Sequence, residues 1–75
     1  MGIIGYMRVT IDANDLHLTD KLLIQDVETR QDVEIDLESV DKKKDEKTVI
    51  VESNIGVFRF RWFETILINR PVWKE

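Results

Sequence analysis

A few residues in this sequence have the types and spacing to do chemistry. His17 is the only imidazole and lies between Asp15 and Asp20. That is the make-up of a general base with a carboxylate to orient it. A base also needs a nucleophile or substrate beside it, and all three residues fall in a stretch that reads as a turn. His17 is therefore read as an exposed loop histidine. Asp12-Ala13-Asn14-Asp15 offers oxygen ligands but lacks the glycine and the closing glutamate of a calcium loop. Glu34, Asp36 and Glu38 alternate along one segment. Paired carboxylates do hydrolytic chemistry only in a partly dehydrated cleft that raises one pKa, and an open strand face offers none. These three read as the wet side of a sheet and as binding candidates.

Arg59 and Arg61 interleave with Phe58, Phe60 and Trp62. Aromatic platforms and arginine are what single-stranded nucleic-acid binders use. Alternate strand residues face opposite ways, so rings and guanidinium groups separate. A small core claims the rings and leaves the arginines outside. There they either pair with Glu34, Asp36 and Glu38 across the sheet or meet an anionic partner. Trp73, beyond Pro71, either folds back on the domain or meets a partner. The three glycines, at 2, 5 and 56, are too scattered to cradle a phosphate. Without cysteine, disulfides and thiolate sites are excluded, and one histidine cannot build a zinc site within one chain. The expectation is a non-enzymatic protein with no cofactor and no metal.

The elements that must position these residues are strands. The 75 residues are 43% hydrophobic and 35% charged, one small domain over 1–75 with a core too thin for a deep cleft. No apolar run approaches a membrane span and the first residues lack a signal-peptide core, so a cytoplasmic location is expected. The net charge of −4 is uneven. Residues 26–52 carry five Lys or Arg against ten Asp or Glu, whereas 53–75 have a net of +2. An acidic middle keeps the chain soluble or meets a basic partner, and it repels a phosphate backbone.

Period-two alternation runs from end to end. Ile3, Gly5, Met7, Val9 and Ile11 share a face. Residues 12–15 read as a turn, and 12–21 as either a short strand around Leu16 and Leu18 or a helical turn. Strands are expected near 22–28, 32–40, 48–53, 57–62 and 65–70. Val33, Ile35 and Leu37 point inward, as do Val49 and Val51. The run from Asp41 to Lys47 is a solvated loop, Gly56 sits in a tight turn, and Pro71 stops the last strand by Arg70. Five or six short strands with at most one helical turn predict an all-β, antiparallel SH3-like or Sm-like barrel, closed so that most of its edges are removed, with residual edges in the N-terminal or final strand able to pair with a second copy. Phe58, Phe60 and Trp62 would be sequestered inside.

Two stretches resemble the Sm-like family over about residues 22–70. Ser39-Val40-Asp41 sits where the first Sm motif has its strand-end aspartate. Phe60-Arg61-Trp62, followed by Ile66 and Ile68, is similar to the second motif and closing strand. The resemblance implies RNA binding through an Asn after that aspartate and through the second-motif arginine, with subunits pairing edge to edge in rings. Here no Asn follows Asp41, and Trp62 stands where the family has glycine, so only Arg61 carries over.

Two main functional expectations follow. The first is a protein-protein interaction module, a small acidic regulator, inhibitor or assembly component whose partner is another protein or itself, as a homodimer or larger oligomer. The second is an Sm-like RNA-binding ring protein using Arg61 and Lys42, Lys43 and Lys44. A third is a structural subunit of a viral or secretion assembly. The binding residues expected are Arg59, Arg61, Glu34, Asp36, Glu38 and Trp73.

Overall fold

The computed structural model describes residues 2–74. Six antiparallel strands form one sheet, ordered β1-β6-β2-β3-β4-β5. They are β1 (Ile3–Asp12), β2 (Lys21–Gln25), β3 (Asp32–Lys43), β4 (Thr48–Ser53), β5 (Gly56–Arg61) and β6 (Thr65–Trp73), with one 3-10 turn at Ala13–Asp15. Among the described residues the sheet is not closed, because β1 pairs only with β6 and β5 only with β4. A single corner of the seam between them is fastened. There the Ala13 and Asn14 backbone N–H groups donate to the carbonyls of Glu64 and Trp62 at 2.8 and 3.1 Å.

β3 serves both halves of the molecule. Its first part pairs with β2 and its second with β4, and the register shifts between Leu37 and Ser39. A bulge of this kind bends a strand, which lets both halves face one core. Leu22, Ile35, Ile66 and Ile68 come from the first half and Val49 and Val51 from the second, with Ala13 and Leu16 filling in from the segment after β1. Those that come from strands β4 and β6 fall at alternate positions, the signature of sheets with one covered face.

Several boundaries differ from the sequence reading, each for a physical reason. The strand expected over 22–28 ends at Gln25, because the Asp26 side chain accepts hydrogen bonds from the Glu28 and Thr29 N–H groups and starts the turn. The strand expected to stop at 40 continues to Lys43, where Lys42 and Lys43 pair with Val49 and Thr48. The solvated loop thus shrinks to a turn at 44–47. The strand near 57–62 runs from Gly56 to Arg61. Segment 12–15 is a 3-10 turn, and Leu16 and Leu18 lie in no strand.

Pro71 does not end β6, which continues to Trp73. β2 pairs with β6 only at Asn69 and Ile68, so β6 beyond them has β1 as its sole neighbour. The missing N–H of proline is tolerated on such a one-sided stretch. Val33 shares the face of Ile35 but is 46% exposed, since it lies at the end of the sheet. Phe58, Phe60 and Trp62 are half-buried rather than sequestered. Strand β5 has a neighbour on one side only, so its inner face is half covered.

Candidate functional site

Strand register sorts the expected binding residues into separate places. Glu34 and Asp36 lie on the outer face of β3, opposite Leu23 and Lys21 of β2. Lys21 Nζ sits 3.6 Å from Glu34 and 3.5 Å from Asp36, and 5.2 Å from the centre of the Tyr6 ring. Asn69 Nδ2 donates to Glu34 Oε1 at 3.0 Å. The Asp36 carboxylate first, then Tyr6 and later Glu34, hold the Lys21 ammonium above its ordinary pKa against the opposing effect of desolvation. The acidic ladder is thus met from within by β2 and β6. Arg59 and Arg61 do not meet it, and neither forms an ion pair among the described residues. β4 stands between them and β3, so the expected pairing is sterically remote. Glu38 is exposed at the bulge.

Arg59 and Arg61 join a different row. Lys43 pairs with Thr48, and Thr48 with Arg61; Asp41 pairs with Ile50, and Ile50 with Arg59. Directly paired residues share a face, so Lys43, Arg59 and Arg61 stand together on the outer face of β3, β4 and β5. Asp41 on that face is occupied by Lys43 at 3.4 Å. At the end of β5, Lys47, Arg61, Trp62, Phe63 and Glu64 line an open groove of about 700 Å³. Lys47 Nζ lies 5.9 Å from the centre of the Trp62 ring, a cation–π distance. Phe63 is 70% exposed. On the inner face Phe58 and Phe60 stack with centroids 6.2 Å apart.

Trp73 pairs with Ile3 at the far corner of the sheet. Around it Ile3, Ile4, Tyr6, Met7 and Val72 are exposed. The register shifts between Ile3 and Gly5, which breaks the alternation of β1 there, but Val72 and Trp73 take opposite faces, so this ribbon is apolar on both sides.

The fourth place was not legible in the sequence. Asp20, fully buried, accepts from Arg70 Nε at 3.0 Å and from Nη2 at 2.9 Å. Arg70 also donates to the Asp15 backbone carbonyl at 2.7 Å and lies 3.3 Å from its carboxylate. The hydrogen bond to Asp20 raises the Arg70 pKa, with burial opposing it. Asp20 further accepts the His17 backbone N–H at 2.8 Å. The His17 ring, by contrast, is exposed, 3.8 Å from Asp15. The carboxylates around His17 are thus committed to Arg70, and the cluster acts as a structural clamp. Among the described residues no three His, Asp or Glu side chains gather to hold a metal ion. Among the described residues no helix is long and apolar enough to cross a membrane.

The described residues thus present a free sheet edge with an apolar ribbon at one end and a basic row with an aromatic groove at the other. No protein-family model, curated protein or solved structure matches the chain.

Proposed function

We propose that this chain is a non-enzymatic protein-protein interaction module, an acidic regulator or assembly component, that docks through the free edge of β1. The carrying observation is the apolar ribbon on which that edge ends. Ile3, Ile4, Tyr6, Met7, Val72 and Trp73 are exposed together, and residues 2–7 carry no charge. Long edges that lack charged guards are pairing sites. The partner is a second copy. Antiparallel pairing about a two-fold axis at Tyr6 sets Arg8 opposite Ile4 and leaves no like charges face to face. Six side chains are few beside the roughly 20–30 per side of a stable interface, so the dimer is concentration-dependent. In this reading the bent sheet is a small SH3-like or Sm-like barrel left open along its seam, and it works in the cytoplasm. Support for the barrel comes from the shared β3 and the fastened corner at Ala13 and Asn14.

Light scattering over a concentration series tests this. A dimer that is lost in Ile4→Lys is expected. Because the chain has no cysteine, Tyr6→Cys should form a disulfide-linked dimer and Glu52→Cys should not. A monomer at every concentration, with equal cross-linking at both positions, would refute self-pairing at β1.

A further inference from the structure

We infer that the opposite edge of the sheet, β5, takes an extended acidic segment of a partner protein as an added strand. This rests on the interaction-module reading but uses none of the β1 surface. In an antiparallel ladder alternate residues turn both backbone groups to the same side. The Trp62 N–H donates to the Lys47 carbonyl, on the β4 side. Arg61 turns the other way: its N–H meets the Glu64 carboxylate and its carbonyl meets the Glu64 N–H, both at 3.1 Å. Two residues further back, Arg59 turns its N–H and carbonyl away from β4, and so does Val57. Among the described residues no strand lies on that side. The pairing of β5 with β4 shows no register shift and β5 contains no proline, so the edge has neither of these usual guards.

Charge selects the occupant. Arg59 and Arg61, two residues apart and so about 7 Å along the strand, match acidic residues at alternate positions of an added strand. Lys43 stands behind Arg61 in the same row. The nearest opposing charges are Asp41, held by Lys43, Glu52 beside Val57, and Glu64 at the end of the edge. On the inner face, half-buried Phe58 and Phe60 await apolar residues at the intervening positions. The groove of Trp62 and Phe63 takes the apolar residue at the segment's end. A polypeptide suits this place better than RNA. It alone can satisfy the free backbone groups, and the rings face away from the arginines, which denies bases a joint platform.

The test is fluorescence anisotropy with labelled peptides of alternating Glu and Val, alternating Lys and Val, and the Glu-Val peptide N-methylated at alternate residues. An oligouridylate of matched charge completes the set. The Glu-Val peptide should bind, Arg59→Ser with Arg61→Ser should weaken it at least tenfold, and Glu64→Ala should tighten it severalfold by freeing the edge. Unchanged circular dichroism keeps these variants interpretable. Binding of the N-methylated peptide as well as the parent overturns strand addition. Tighter binding of the oligouridylate than of any peptide, with a steep fall in salt, assigns the edge to nucleic acid instead. No binding of the Glu-Val peptide refutes the inference. None of these outcomes bears on the mass measurement at β1, so the two readings fail separately.

Discussion

Asp20 and Arg70, fifty residues apart, meet in a two-point ion pair with the carboxylate wholly buried. Removing one partner of a buried pair leaves an uncompensated charge. The loss is usually about 3–5 kcal/mol, and the part-exposed Arg70 side chain places this one near about 3 kcal/mol. Asp20→Ala should lower the urea unfolding free energy by that amount. Arg70→Lys, which keeps charge but loses the planar fork, should cost less. A loss for Asp20→Ala within the range of surface pairs, below about 1 kcal/mol, would show that the clamp is open to water.

The core makes a graded prediction. Ile68 and Ile35 are buried at the junction of β6, β2 and β3. Ile68→Val should cost about 1 kcal/mol and Ile35→Ala about 2–5 kcal/mol, enough to unfold much of a domain this small. Ile55→Ala, at an exposed turn, should stay within about 0.5 kcal/mol. Thermal melts of the three separate the cases, and equal losses would contradict the placement of the core.

Lys21 gives a pH dependence. Its folded pKa lies above the unfolded value of about 10.4. Its contribution is therefore complete at neutral pH and fades as pH rises through the raised folded value. By NMR its ammonium should keep its proton above the ordinary lysine value. The destabilisation caused by Lys21→Met at pH 7 should shrink in strong alkali. A Lys21 ammonium that is not raised above its ordinary value would refute the bridge to Glu34 and Asp36.

One hydroxyl braces the turn between β4 and β5. Ser53 Oγ donates to the Gly56 carbonyl at 2.8 Å and accepts from the Ile55 N–H at 3.2 Å. Ser53→Ala should cost about 1 kcal/mol. Gly56 has φ +147° with open space where a Cβ would go, so Gly56→Ala is strained by backbone alone and should also destabilise. Hydrogen exchange at Ile55 should quicken in both variants; unchanged exchange would mean the turn forms without them.

Much of this fold was legible wherever a strand has one wet face. Ile35 was readable as inward because Glu34 and Asp36 flank it, and Val49 and Val51 because they share one face of the alternating run from Thr48 to Ser53. Where β3 outruns the core, Lys42 and Lys43 have no apolar period to betray a strand, and only pairing with β4 keeps them extended. Pro71 misled because its tolerance depends on which side β2 leaves empty. The aromatics of β5 misled because burial depends on a neighbour that an edge strand lacks. Arg59 and Arg61 were legible as exposed, but their row with Lys43 needed the register. The Asp20–Arg70 clamp needed the adjacency of β2 and β6, which no local pattern carries.

That adjacency also has a consequence for synthesis. β6 lies between β1 and β2 and is translated after all the other strands. Until it emerges from the ribosome, β1 has no strand of this sheet to join, Asp20 lacks the Arg70 guanidinium, and Val9 and Ile11 lack Ile68 and Ile66, opposite which they pair. The nascent polypeptide must hold β1 unpaired until β6 arrives to complete the sheet.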